Sequence, residues 1–247
     1  MIETLALTKI YQDKQRGEIR AADGVSFNCR QGEIFGLLGP NGAGKTTTLR
    51  MLSTVIKPTS GTARINGHDI VKSPAHVRAS IGFVSGTTGL FPRMTPAEIL
   101  LYFGRLHHVP EDRLRERISE LTRVFAMDAF MDVRCERLST GMRQKVSIAR
   151  TLIHDPPVLI FDEPTVGLDI LVASTMMQFI QGCREENRAV IFSTHTMSEA
   201  EKLCDRIAII HNGKILAIGS LDALRVLTGK RFLEDVFISL VRERETP

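Results

Sequence analysis

Ile34-Phe35-Gly36-Leu37-Leu38-Gly39-Pro40-Asn41-Gly42-Ala43-Gly44-Lys45-Thr46-Thr47 decides the fold of this chain. An apolar run ends in a glycine-rich loop of the form G-x-x-x-x-G-K-[ST], and Lys45 to Ser53 continues as a helix with Leu49 and Leu52 turned inward. Glycines let such a loop curl until successive backbone N–H groups converge, and the helix N-terminus behind them adds its positive end. The Gly39, Pro40, Asn41, Gly42, Ala43 and Gly44 backbone is thus read as an anion nest. Lys45 supplies a charge for β- and γ-phosphates, and the Thr46 hydroxyl is a Mg²⁺ ligand, with Thr47 beside it. A glycine-rich turn before an ordinary helix is the plain alternative, and the strand–loop–helix order speaks against it.

Outward from the loop, a second apolar run, Val158-Leu159-Ile160-Phe161, ends in Asp162-Glu163. A carboxylate at such a strand end holds Mg²⁺ opposite Thr46, so Thr46 and Asp162 form the expected metal pair. Glu163 then faces the γ-phosphate, where it polarises an attacking water and points to hydrolysis. A third run, Ala189-Val190-Ile191-Phe192, leads to Ser193-Thr194-His195. Continuous apolar runs of this kind suit central parallel strands covered on both faces.

The rest of the chain reads as two kinds of segment. Short strands are expected over Glu3 to Leu7, Ala21 to Asn28 and Gly61 to Ile65, with Asn66-Gly67 as a hairpin turn. From Thr95 to Thr151 the pattern turns helical: Ile99, Leu100, Phe103 and Leu106 recur at helical spacing, as do Ile118, Leu121, Val124 and Phe125. Thr95-Pro96, with Glu98 behind it, is a helix start. A second hairpin, Arg206 to Ile218 turning at His211-Asn212-Gly213, leads to a charged helical tail.

Composition sets the outer bounds. The chain has 247 residues, 43% hydrophobic and 24% charged, and a formal net charge of +4. That is the profile of one large globular unit, not of a disordered or fibrous chain. The surplus is too thin to argue for nucleic acid, and Arg113, Arg115 and Arg117 read as a solvated helix face. Four scattered cysteines offer no zinc spacing and read as reduced thiols. No signal-peptide pattern opens the sequence, and no apolar run approaches the about twenty residues a spanning helix needs.

Between the two phosphate motifs lies Leu138-Ser139-Thr140-Gly141-Met142-Arg143-Gln144-Lys145, which resembles the signature segment of ABC-type ATPases. Gly167-Leu168-Asp169 resembles the family's D-loop, His195 its switch histidine, and Tyr11 its adenine-stacking aromatic. The resemblance runs from Tyr11 to the Asn212-Gly213 turn. It implies an α/β P-loop NTPase: a RecA-like core with a parallel sheet, a small antiparallel β subdomain and an inserted helical subdomain. On that pattern residues 1–94 and 152–220 form the nucleotide-binding core with its β subdomain, 95–151 the helical insert, and 221–247 the tail.

The resemblance also implies ATP and Mg²⁺ as cofactors, with Glu163, His195 and Lys45 in catalysis. Ser139, Gly141 and Asp169 would meet nucleotide across a sandwich of two copies. Its partners would be a second copy of itself and a separate membrane permease, with no nucleic acid, and its place the cytoplasmic side of the cell membrane. Taken alone, Ser139 is a helix N-cap and Tyr11 could equally be a core or edge residue.

Two departures stand out. Ser85-Gly86-Thr87-Thr88-Gly89 holds no glutamine where the family carries one, Gly86 standing in its place. Neither Ser85 nor Thr87 has the reach of glutamine, so no metal role is assigned in this loop. The signature reads Ser-Thr-Gly-Met, and Thr140 fits there only at negative φ. Both changes resemble the subfamily that drives sodium-efflux and small multidrug exporters. The loop from Thr87 to Pro96, with Leu90, Phe91 and Met94, reads either as a docking surface or as a loop tucked onto its own core. A soluble ABC ATPase acting on ribosomes or DNA, and a P-loop kinase or switch, are the rival readings.

Overall fold

A computed structural model describes residues 1–15, 17–85 and 89–245. The chain opens with the antiparallel strands β1 (Ile2–Asp13), β2 (Gly17–Val25) and β3 (Asn28–Cys29), then β4 (Ile34–Leu38) and α1 (Lys45–Leu52). Next come β5 (Ser60–Ile65), β6 (His68–Asp69), α2 (Pro74–Ser80) and β7 (Ile81–Ser85). The helices α3 (Pro96–Leu106), α4 (Glu111–Val124) and α5 (Thr140–Leu152) follow. The chain returns through β8 (Val158–Asp162), α6 (Ile170–Glu185), β9 (Ala189–Thr194) and α7 (Met197–Leu203). It closes with β10 (Arg206–His211), β11 (Lys214–Gly219), α8 (Leu221–Thr228) and α9 (Leu233–Glu245).

Six strands form one sheet in the order β11-β10-β4-β9-β8-β7, parallel except for β11. Strands β4, β8 and β9 are buried at every residue, because α1 lies on one side and α3–α6 on the other. Their apolar runs, broken only by Asp162, Ser193 and Thr194 at the C-terminal ends, are what two covered faces require. The second sheet, β2-β1-β5-β6 with β3 beside β1, is antiparallel. It packs Leu7, Val25, Ala63 and Ile65 against Leu49 and Leu52 of α1. The first strand runs twelve residues, longer than Glu3 to Leu7, and the stretch from Ala21 to Asn28 divides between β2 and β3.

The helical segment starts as its sequence indicates. Thr95 Oγ1 accepts the Glu98 N–H while the Glu98 carboxylate accepts the Thr95 N–H, a reciprocal capping box. Ile99, Leu100, Leu121 and Phe125 join one apolar cluster with Leu159, Phe161 and Phe192 of the sheet. Two positions of the helical pattern do not: Leu106 is 57% exposed and Val124 60%. Each stands at the last residue of its helix, where the chain turns away before the next residue can pack.

Arg117 also departs from the solvated face assigned to it. Its side chain is only 15% exposed and its guanidinium meets Asp155 at 3.2 Å and Glu120 at 2.7 Å. Leu90 and Met94 tuck against the helical cluster, whereas Phe91 stays 49% exposed. The tail is packed rather than loose: Leu224, Leu233, Val236 and Leu240 share a cluster with Ile207 and Ile209 of β10. Among the described residues no helix is long and apolar enough to cross a membrane.

Candidate functional site

Three parallel strands deliver the site. The glycine loop leaves β4, Asp162 ends β8 with Glu163 next, and Ser193 and Thr194 end β9 with His195 next; β9 lies between the other two. Register aligns the ends, with Leu38 opposite Thr194 and Asp162 opposite Ser193. Ligands of open parallel sheets bind beyond these C-terminal strand ends.

Each glycine of the loop has its own reason. A Cβ at Gly39 would meet the Ile210 carbonyl oxygen at 2.2 Å, so that position needs close approach rather than unusual torsions. Gly44, at the N-cap of α1, has φ +105° and would bring a Cβ within 2.3 Å of the Ala21 carbonyl. Gly42 has φ +82° with open space around it, a purely torsional demand. The curled loop encloses a cavity of about 220 Å³ lined by Asn41 to Thr47, Ala21 and Glu163.

Lys45 is 4% exposed, and its ammonium is fully engaged. It donates to the carbonyls of Gly39 at 2.6 Å and Pro40 at 3.0 Å and pairs with Glu163 Oε1 at 3.0 Å. Glu163 reaches His195 with its other oxygen, Oε2 lying 3.3 Å from Nδ1. Its backbone sits at φ +49°, a left-handed conformation unusual for a residue with a Cβ. Two contacts with Ser193 hold it there: the Glu163 N–H donates to Oγ at 3.1 Å and to the carbonyl at 3.2 Å.

Thr46 Oγ1 donates to Asp162 Oδ1 at 3.1 Å, so both expected metal ligands face one point. A hydroxyl and a carboxylate oxygen so placed are a hard donor set that would suit Mg²⁺. When bound, Mg²⁺ neutralises charge on the phosphate oxygens. The chain's own residues orient it: Ser193 donates its hydroxyl to Asp162 Oδ1 at 2.9 Å and fixes the carboxylate. Ser193 drew no role of its own from the sequence, although a polar residue directly after an apolar run was the available signal.

Other candidates sit apart from this cavity. Ser139 caps α5, its Oγ accepting the Met142 N–H at 3.2 Å, and Gly141 lies in the first turn against Val172. Thr140 is helical at negative φ, which removes the steric objection to a threonine there. Asp169 caps α6 by accepting the N–H groups of Leu171 and Val172, both at 3.0 Å. Gln144, a residue the sequence reading left without a role, donates to the Pro164 carbonyl at 3.3 Å and ties α5 to the loop after Glu163. Tyr11 is 41% exposed on β1, opposite Ile19 and near the β2 residue Ala21 that lines the cavity. Lys9 places its ammonium 5.2 Å from the Tyr11 ring centroid. Ser85 pairs with Asp162 in the sheet register, while Gly86, Thr87 and Thr88 lie outside the described residues.

The comparisons with known proteins bear on the fold and the family. The sequence profile described as ABC transporter matches residues 22–166. The ABC transporter ATP-binding protein NatA of Bacillus subtilis is 42% identical over 244 residues, 98% of this chain and 99% of that protein. The daunorubicin/doxorubicin resistance ATP-binding protein DrrA of Streptomyces peucetius is 36% identical over 232 residues, 94% of this chain and 69% of its own length. Among solved structures, an ATP binding subunit of an ABC transporter superposes with a TM-score of 0.88 at 28% identity, covering 98% of this chain and 99% of its own. The ATP-binding cassette MJ0796, in a dimeric post-hydrolysis state bound to ADP and Pi, gives 0.80 at 27% identity, covering 90% and 99%. The fold is thus shared with ATP-binding subunits of one kind, and the chain belongs to the ABC transporter family as one of its ATP-binding, ATP-hydrolysing members.

Proposed function

We propose that this ATPase powers a separate membrane permease and that two copies enclose two ATP molecules between them. The observation that carries this reading is a division of labour. Lys45, Glu163 and His195, and Thr46 and Asp162, are joined by direct contacts at the strand ends, whereas among the described residues Ser139, Gly141 and Asp169 make no hydrogen bond or ion pair to any of them. A phosphate bound at Lys45 is therefore reached by Ser139 and Gly141 of a second copy.

In this mechanism the γ-phosphate displaces Glu163 from Lys45, and the freed carboxylate orients and deprotonates the attacking water. Convergent backbone N–H groups and Lys45 stabilise the negative charge that develops on the transferring phosphoryl group. His195, bridged to Glu163, senses the γ-phosphate, and Tyr11 stacks on adenine. Loss of the γ-phosphate removes what joins the copies, and they part.

The segment 95–151 carries the docking face, and the protein is peripheral on the cytoplasmic side of the membrane. Export is the direction favoured by relatives named for Nod factor export and drug resistance, and sodium ion or drugs are the proposed cargo. The test combines two measurements. ATPase activity per chain should fall on dilution as copies separate, and affinity capture from native membranes should bring down one membrane chain. A rate per chain independent of concentration would end the two-copy reading. A protein wholly soluble in cells that express its neighbouring genes would instead favour a soluble ABC ATPase.

A further inference from the structure

Two helices of this chain start on the pattern Thr-x-x-Glu, and they use it differently. At Thr95 and Glu98 the two side chains close a reciprocal capping box. At Thr196 and Glu199, the start of α7, they do not. The Thr196 side chain makes no cap bond, and the Glu199 carboxylate turns back to β9, where Oε2 accepts the Thr194 hydroxyl at 2.6 Å. That is the length of a charge-assisted O–H···O bond, a strong contact. Among the described residues no cation pairs with Glu199, so its charge is directed at a hydroxyl rather than at a salt bridge.

Thr194 is a junction. It is 3% exposed, ends β9 and lies opposite Leu38 in the sheet register. Its carbonyl accepts the Gly39 N–H of the phosphate loop at 3.3 Å. Its hydroxyl oxygen accepts the Thr196 N–H at 3.0 Å, which closes the turn Thr194-His195-Thr196. A hydroxyl has one proton and two lone pairs. With the proton held by Glu199, a lone pair is left facing the Thr196 N–H, so Glu199 sets the orientation of the group that closes the turn. His195 sits at the centre of that turn, its Nδ1 3.3 Å from Glu163 Oε2.

We propose that Glu199 is a positioning residue for hydrolysis: through the Thr194 hydroxyl it fixes the turn that aims His195 at the Glu163 carboxylate and the γ-phosphate. The inference rests on the His195 reading above and adds the residue that orients it. The Gly39 contact is a backbone bond that continues the β4–β9 register, so nucleotide binding survives loss of the Glu199 side chain. His195 lies one residue beyond β9, outside that register. A displacement of about 1 Å in a reacting site can cost on the order of 10²-fold, and the effect therefore falls on kcat rather than on KM.

The test measures hydrolysis of MgATP by the full chain at one fixed protein concentration, in steady state and in single turnover. Glu199→Ala should lower kcat about tenfold and leave KM within about twofold of wild type. Glu199→Gln, whose amide oxygen still accepts the Thr194 hydroxyl, should recover most of that loss, whereas Glu199→Asp, one methylene shorter, should not. His195→Ala should lower the rate at least as far, and adding Glu199→Ala to it should cost nothing more in single turnover, since both changes remove one function. Thermal midpoints establish that each variant is folded, and if Glu199→Ala is not, the contrast between Gln and Asp decides. A wild-type kcat in Glu199→Ala, a rise confined to KM, equal rates in Gln and Asp, or losses that multiply in the double variant overturn the inference and leave the His195 reading intact. Hydrolysis at the wild-type rate by His195→Ala overturns both.

Discussion

Replacing Glu163 with glutamine removes one negative charge and almost no volume. The carboxylate touches both halves of the machinery, Oε1 at 3.0 Å from the Lys45 ammonium and Oε2 at 3.3 Å from His195 Nδ1. Glutamine can still bond to either group, so the local fold survives, but it cannot take a proton from water. General-base catalysis is worth roughly 10²–10⁴ in rate, so phosphate release should fall by that factor, about 3–5 kcal/mol of barrier.

Binding should move the other way. Lys45 is buried, and in wild type an incoming γ-phosphate must compete with Glu163 for it. The Glu163 side chain is 23% exposed, so screening limits the gain to about 1 kcal/mol, a fewfold tighter binding. Single-turnover hydrolysis with enzyme in excess reads the chemical step, and a fluorescent ATP analogue titrated at low protein concentration reads affinity without dimerisation. A Glu163→Gln variant that keeps more than a tenth of the wild-type rate, or binds nucleotide more weakly, refutes the assignment of this residue as both base and competitor.

Three further outcomes follow from the same geometry. Gly39→Ala forces a Cβ to 2.2 Å from the Ile210 carbonyl and Gly42→Ala meets open space at φ +82°, so calorimetry should show the first lowering Tm by several degrees more than the second. Overpacking costs about 1–3 kcal/mol and the torsional penalty about 1, each kcal/mol being worth about 2–4 °C at this size. Asp162→Asn should raise the Mg²⁺ concentration needed for half-maximal hydrolysis at least tenfold, and EDTA should abolish phosphate release; equal Mg²⁺ dependence in variant and wild type contradicts the Thr46–Asp162 site. Finally, burial, helped by the charge of His107 in face-to-face contact at 3.7 Å, lowers the His154 pKa from 6.5 to about 4 against the opposing pull of the Ile81 carbonyl and Asp155. Between those values the unfolded chain takes a proton that the folded chain refuses, so stability falls as pH drops through this window, by an amount on the order of 3 kcal/mol. Denaturant titrations at steps from neutral pH down to about pH 4 should show that loss in wild type and a flatter profile in His154→Gln; parallel profiles would count against it.

The amino-acid sequence by itself determined whatever depends on neighbours along the chain. The loop from Gly39 to Thr47 must curl where glycine torsions and close approach demand it, and Lys45 and Thr46 then open a helix at fixed distance from the nest. Caps at Thr95, Ser139 and Asp169 are similarly local, each a side chain answering an N–H two or three residues ahead. Strand identity was legible because β4, β8 and β9 each carry an unbroken apolar run.

That same uniformity hid their order. Nothing in three interchangeable apolar runs says that β9 lies between β4 and β8, and this placement sets Ser193 against Asp162 and brings Glu163 to Lys45 and His195. Helical spacing likewise could not tell that Leu106 and Val124 would face solvent, or that Arg117 would turn back to Asp155, because those outcomes depend on where neighbouring elements stop. Local sterics are written into short stretches of chain. Pairings between distant residues are settled by tertiary packing alone, since burial stabilises each apolar strand equally well in any central position and only the assembled sheet decides which polar ends meet.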